Sequence, residues 1–395
     1  MKILEKRFVQ FVVKTSKFCN LRCKYCYEYA ELSNKANVSL EQIESMFRNI
    51  YNYYSKLDFS VNIEFVWHGG EPLLQLPDFY WKAFEYQQKI FGELADNITN
   101  VVQTNLTVID AERIRLLRDG FNSVGVSIDL YSNLRINQSG IDSHTKVLAN
   151  MDRLREENIT FGCITVLTKL NLPYIREIYD FYKKQNLSFR ILPLFDGAFD
   201  GQHEGFEITE YEILEAHRTL VDIWLTDETF IPVVPIVDYF TQVLHKYSLS
   251  KNPQFYDKNE WESVYLVNTT GDIYSYADAY EIERSHGNIF TTPLEQIIGG
   301  EKHQEVIKIA EKKIIEACGD CSYFGNCSGY PIGEGNRVYD EVGESGHKRC
   351  IVDRGTLEHI EQRLYDAGII DSQTGHLNLG KLNLPETPLE LTCAL

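Results

Sequence analysis

The chain has no apolar run long enough to cross a membrane, and its first residues lack the basic start, long apolar core and small-residue cleavage site of an export signal. Membrane-spanning and secreted classes are set aside, and a cytoplasmic location is expected. A basic block is missing too: 57 acidic against 39 basic side chains leave a formal charge of −18. A phosphate backbone calls for a basic footprint, so no nucleic-acid partner is expected. The acidic surface serves solubility, or attracts a basic peptide or the basic patch of an electron donor. No repeat and no low-complexity linker breaks the 395 residues, a length that accommodates one large domain and a smaller one packed against it. Cysteine is absent from 164 to 317, so the nine cysteines are clustered rather than scattered, which fits metal binding in a reducing compartment better than disulfides.

The densest cluster is KFCNLRCKYCYE, with Cys19, Cys23 and Cys26. Soft thiolates suit iron-sulfur clusters, and gaps of this size let one short loop curl round a compact cube with one iron left open. Phe18, Tyr25 and Tyr27 are placed to shield such a cluster from water. Zinc is the rival, but it normally takes four protein ligands or an imidazole, and no histidine lies nearby in sequence.

Apolar runs near 9–14, 61–67, 98–103, 123–128, 160–167 and 187–192 read as strands. Helical stretches near 39–55, 78–91, 110–119, 143–155 and 173–185 lie between them, with caps such as Ser39 and Asp110. This alternation predicts an α/β fold, a parallel sheet curved into a partial (β/α)6 TIM-like barrel. Ligand sites in such sheets gather beyond the carboxyl ends of the strands. Cys19 follows the first strand, Gly69 and Gly70 the second, Thr104 and Asn105 the third, Ser127 and Asp129 the fourth, and Arg190 the last. After residue 200 come two helices near 208–226 and 234–247, a hairpin turning at Thr270 and Gly271, and a helix near 301–317. A second cysteine set follows: Cys318, Cys321, Cys327 and, after a long gap, Cys350. On spacing alone it fits one [4Fe–4S] cluster or one zinc. Cys163 reads as a buried strand residue, with a hydrogen-donor role as the sharper alternative. Cys393 is given no role, and His68 is expected to pack or hydrogen-bond beside the glycine turn.

The triad spacing, with an aromatic residue before the last cysteine, resembles the radical S-adenosylmethionine (SAM) enzymes. WHGGEP is similar to that family's methionine-binding turn, which makes Gly69, Gly70, Glu71 and Pro72 expected cofactor contacts. Thr104, Asn105, Ser127, Asp129 and Arg190 match the order of its remaining contacts. The resemblance implies an oxidoreductase in which the open iron chelates SAM and a reduced cluster cleaves it to a hydrogen-abstracting radical. A flavodoxin- or ferredoxin-like protein would supply the electron.

The carboxyl-terminal cysteines resemble the auxiliary domain of the SPASM subgroup, whose full form carries two auxiliary clusters. This chain departs from it. CSGYP has no cysteine near Pro331, and the hairpin strand GDIYSY ends in Tyr276 where the subgroup has cysteine. Two [4Fe–4S] clusters are therefore expected, one binding SAM and one auxiliary. In sulfatase-maturing relatives an aspartate follows the hairpin cysteine; here Ala277 stands there, with Asp278 one place on. A one-residue shift turns a strand side chain to the other face, which argues against simple inheritance of that role. Tyr276 and Asp278 remain the candidates for catalytic contact, with space-filling the plainer role of Tyr276.

The expected organisation is a radical SAM barrel over 1–200, a helical bridge over 201–260, an auxiliary domain over 261–355, and a helix and tail over 356–395. The subgroup implies a precursor-peptide substrate, expected here to receive a crosslink from a side-chain carbon to an aromatic ring, with the auxiliary cluster taking the substrate electron. The alternatives are peptide epimerisation, thioether formation, a reaction on a small polar metabolite and, less favoured, sulfatase maturation. A peptide strand could add to an open edge of the hairpin over 264–276. The expected state is a monomer.

Overall fold

The computed structural model describes residues 7–194, 201, 204–248, 252–276, 280–335, 342–343 and 346–381. Six strands alternating with five helices build the first half. β1 (Arg7–Ser16) leads through the long loop 17–39, which carries the cysteine triad, to α1 (Leu40–Tyr54), β2 (Val61–Gly69) to α2 (Pro77–Phe91), and β3 (Ile98–Thr104) to α3 (Ala111–Asp119). β4 (Ser123–Ser127), α4 (His144–Glu156), β5 (Phe161–Leu167), α5 (Ile175–Gln185) and β6 (Phe189–Pro193) complete the series. Ser39 closes a capping box with Gln42, and Asp110 accepts from the backbone N–H of Arg113, so both expected caps satisfy helix-end donors.

The sheet does not stop at six strands. After α6 (Glu210–Thr226), the short β7 (Val233–Val234) pairs with β6 and leads to α7 (Ile236–Lys246). β8 (Val264–Val267) then returns to pair in parallel with β1, Gln10 opposite Val264 and Val13 opposite Val267. β9 (Asp272–Ser275) and β10 (Gly287–Asn288) extend that edge antiparallel. One ten-stranded sheet results, in the order β10-β9-β8-β1-β2-β3-β4-β5-β6-β7. The hairpin expected to offer an open edge is occupied on both sides: β1 covers β8, while β10 and His286, which accepts from the backbone N–H of Ser275, cover β9. α8 (Leu294–Ile298), α9 (Glu301–Cys318), α10 (Tyr330–Gly333) and α11 (Val352–Asp366) follow, α11 packing on α6 and α7.

Strand alternation divides the side chains. Phe11, Phe65 and Trp67 face the helices, packing round Phe47 of α1. Thr165 and Phe189 likewise meet Tyr182 of α5. The opposite, inner face carries polar groups on the intervening residues, among them Gln10, Lys14, Glu64, His68, Gln103 and Arg190. Among the described residues no helix is long and apolar enough to span a membrane.

Candidate active site

The three triad thiols share one small cluster with Leu21 and Leu32, on the loop that leaves β1. The glycine turn after β2 braces that loop. Gly70 N–H donates to the Ser16 carbonyl at 2.7 Å and Glu71 N–H to the Phe18 carbonyl at 3.0 Å. A Cβ at Gly70 would lie 2.3 Å from the Phe18 oxygen, and one at Gly69, where φ is +132°, 2.3 Å from the Ser16 oxygen. Glycine is needed here because the chain's own backbone occupies the space.

Glu71 is buried, and its carboxylate accepts from Leu73 N–H (2.9 Å), Thr104 Oγ1 (2.6 Å) and Asn105 N–H (2.7 Å). It ties the β2 turn to the end of β3. Burial pushes its acidity down, against the stabilising pull of those donors. Asn105 continues the tie: its side-chain amide reaches Cys19 Sγ at 3.7 Å and Asn20 Oδ1 at 3.1 Å. Pro72 opens a short turn, and its carbonyl accepts from Tyr80. Asp129 accepts from Val166 N–H and from the Tyr25 hydroxyl, to which Arg135 also donates at 3.0 Å. Ser127 Oγ accepts from Gln103 Nε2 at 2.7 Å, leaving Gln103 Oε1 buried without a partner. The Nε of Arg190 is likewise buried and unpartnered. Glu71, Thr104 and Asn105 are thus bound to one another near the triad, Ser127 and Asp129 are held at and just beyond the end of β4, and Gln103 Oε1 and Arg190 Nε retain spare hydrogen-bonding capacity.

Burial pushes the Cys19 and Cys26 thiols up to about 12 and raises Cys23 as well. The thiolate is the ligand form, and the cationic Lys14 and Arg135 nearby act in its favour, Lys14 at Cys26 and Arg135 at Cys19 and Cys23. Three soft donors, one of them receiving an amide hydrogen bond, fit an iron-sulfur cube.

The second set converges from four places. Cys318 ends α9, turns carry Cys321 and Cys327 back over it, and Cys350 stands two residues before α11. All four line one cavity together with Asp353 and Arg354. Burial raises Cys318 to about 12, Cys327 to about 11, and Cys350 further. Asp353 meets Cys350 Sγ at 3.6 Å and accepts from Tyr239. The donor set fits a fully ligated cube. Among the described residues no three His, Cys, Asp or Glu side chains converge tightly enough to hold a single metal ion.

Tyr276 sits half-exposed beyond β9, and Asp278 lies outside the described residues, as does Cys393. Tyr330, at the place of a missing cysteine, packs edge-on to Tyr256 with ring centroids 4.9 Å apart. Beside them Lys258 bridges Glu262 (2.9 Å) and Glu334 (2.5 Å), and His303 bonds Glu262, all buried. Cys163 is packed on the helix side of β5, away from the inner face. Sequence reasoning missed Lys14 and Glu28, a buried ion pair on the inner face at 2.5 Å. A lysine closing the apolar run QFVV was the available signal.

The sequence matches the radical SAM superfamily over residues 13–182. It is 26% identical over 325 residues to a cysteine-type anaerobic sulfatase-maturating enzyme of Clostridium perfringens, covering 79% of this chain and 85% of that protein. The fold is similar to that of native anSMEcpe with bound AdoMet and Kp18Cys peptide, with a TM-score of 0.71 and 22% identity, over 91% of this chain and 98% of the other. It is also similar to Streptococcus suis SuiB bound to precursor peptide SuiA, with a TM-score of 0.57 and 13% identity, over 82% and 71% of the two chains.

Proposed function

We propose, on the premise that the chain is a radical SAM enzyme with the SPASM architecture, that it matures a ribosomally made precursor peptide by joining a side-chain carbon to an aromatic ring. The observation that carries this reading is the pairing of an open-cornered thiol triad at the barrel rim with a four-thiol cavity. In this reading Cys19, Cys23 and Cys26 hold the SAM-binding [4Fe–4S] cluster, and Cys318, Cys321, Cys327 and Cys350 hold the auxiliary one. Once bound, these groups supply a hydrogen-abstracting radical at the rim and an electron acceptor for the oxidation that restores an aromatic ring.

The chain's own residues do the rest. The Gly69–Gly70 turn fixes the triad loop through its two backbone hydrogen bonds. Gln103 Oε1 and Arg190 Nε, unpartnered and buried, are suited to the polar groups of SAM. The polar inner face gives an extended peptide hydrogen-bonding partners, and the rings of Tyr27 and Tyr280, stacked with centroids 6.2 Å apart, wall it near the triad. Relatives solved with peptides support the substrate class. Tyr276 and Tyr330 at two positions expected for cysteine, with the Lys258 network beside Tyr330, support a single auxiliary cluster and count against sulfatase maturation, the reading that sequence similarity would otherwise favour.

The test is anaerobic coexpression with the small open reading frame nearest the gene, followed by mass analysis of the peptide. A loss of two hydrogens with a new aromatic linkage is expected, from protein holding about eight irons per chain. Unchanged mass in H2O with deuterium taken up in D2O would replace crosslinking by epimerisation, and SAM cleavage with no peptide modified would overturn the reading.

A further inference from the structure

The inner face holds a second built site beside the triad. Lys14 is fully buried, and its ammonium is held between Glu28 Oε1 at 2.5 Å and the ring of Tyr280, 3.2 Å from the ring centroid. Glu28 is itself only 8% exposed. Its second oxygen, Oε2, has no partner, and neither has Nδ1 of His68, which stands directly across from Lys14 in the β1–β2 register. Buried polar atoms are almost always hydrogen-bonded, and a carboxylate oxygen left without a donor in a dry site is costly. Two such atoms beside one ion pair, next to the glycine turn, mark a place that something else completes.

We infer that Glu28 Oε2 and His68 Nδ1 form a subsite for a neutral hydrogen-bonding group of the substrate, an amide or a hydroxyl. This inference rests on the reading of the chain as a peptide-modifying enzyme and names how that peptide is gripped.

Charge decides the class. Lys14 already neutralises Glu28, so a cation entering the site would leave one positive charge buried and uncompensated, and an anion would leave one negative. A neutral amide fits without that cost. Its N–H donates to Glu28 Oε2, while its carbonyl accepts from His68. Burial and the neighbouring Lys14 push the His68 pKa down to about 4, so the ring is neutral and its single proton can sit on Nδ1. A hydroxyl fulfils both roles with one atom. The site adjoins the triad directly: Lys14 feels the charge of Cys26, and Glu28 lies two residues beyond that ligand. A group held there would sit beside the radical centre, so the subsite would orient the attacked residue.

The alternative source of the same chemistry is SAM, whose amino group also donates. Two probes and a SAM titration separate the sources. Acetylglycylglycine amide carries free amide N–H groups, whereas acetylsarcosylsarcosine dimethylamide has each nitrogen methylated. Saturation-transfer NMR on the cluster-loaded protein with SAM bound should show the first probe bound at least about tenfold more tightly than the second, the range for a hydrogen bond to a charged acceptor. The K14M/E28Q double variant, which removes both charges together, should erase that preference when compared at equal iron content. H68F, which leaves the ion pair intact, should weaken both probes alike by removing the donor to their carbonyls, and it carries the test should the double variant fail to fold, since undiminished binding of both would overturn the subsite. Equal binding of the two probes, or binding of neither, overturns the subsite. A K14M/E28Q protein that loses SAM affinity but keeps the N–H preference assigns the orphan atoms to the cofactor and overturns it as well. An intact preference in a protein that modifies no precursor peptide would sink the peptide reading alone.

Discussion

Replacing Gly70 by alanine tests whether the glycine turn serves the cysteine loop or the ligand. The added Cβ would stand 2.3 Å from the Phe18 oxygen and 2.5 Å from the Lys17 oxygen, both backbone atoms that no rotamer change can move. An ordinary contact requires the loop to retreat by about 1 Å, because packed backbone tolerates little overlap. That retreat breaks the Gly70-to-Ser16 and Glu71-to-Phe18 hydrogen bonds, together worth about 2 kcal/mol net. At about 2.1 cal/mol/K per residue, a 395-residue chain has a melting entropy near 0.8 kcal/mol/K, so this loss lowers the Tm by only about 2–3 °C. The larger effect is positional, since metal ligands must hold their geometry to about 0.2 Å. Gly70→Ala should stay folded by circular dichroism, yet lose the triad cluster's iron or the change that SAM makes in its EPR spectrum. A variant with full iron, an unaltered SAM-dependent spectrum and an unchanged Tm would refute the bracing role.

Lys258→Met should be among the most destabilising single changes, because it leaves Glu262 and Glu334 buried together. About 3–5 kcal/mol is expected for breaking such a network, visible as a Tm drop of about 4–6 °C; a drop under about 1 °C would show the network to be incidental. In the same network burial pushes Glu262 up, but Lys258 and His303 outweigh it and hold the carboxyl at about 2 against an ordinary 4.5. A depressed carboxylate stabilises the fold above its unfolded value, so that stabilisation should be lost as pH falls below 4.5 through the depressed value. Glu262→Gln should flatten that part of a pH–urea stability profile. Cys163→Ala should cost about 1–2 kcal/mol of stability through lost packing, with SAM cleavage and product chemistry unchanged; loss of product with normal folding would return Cys163 to the list of hydrogen donors.

Much of this was legible because the relevant signals are local. The strands announced themselves as apolar runs, Ser39 and Asp110 as caps, and the thiols by spacing. Each of these depends on neighbours within a few residues. What the sequence withheld depends on distant partners. Nothing near Val264 says that it will lie opposite Gln10, since the two are brought together only when the sheet closes on that side. The commitment of Glu71 to Thr104 and Asn105 was hidden for the same reason. So was the meaning of Lys14: a lysine ending an apolar run reads as a strand leaving the core until Glu28 is seen across from it.

The parallel pairing of β8 with β1 bears on how such proteins could be recombined. The strand that delivers the triad has β2 on one side and the hairpin on the other. Cutting the chain near residue 200 to exchange the cysteine-rich half for another would bare four residues' worth of ladder on β1, the very strand that aims Cys19. Grafts are better made beyond β10, so that β8 and its hairpin stay with β1 while the loops round Cys318 to Cys350 are exchanged. A lineage could therefore trade the loops round the second thiol set freely while keeping β8, and the inheritance of one half would constrain the other through a single shared strand.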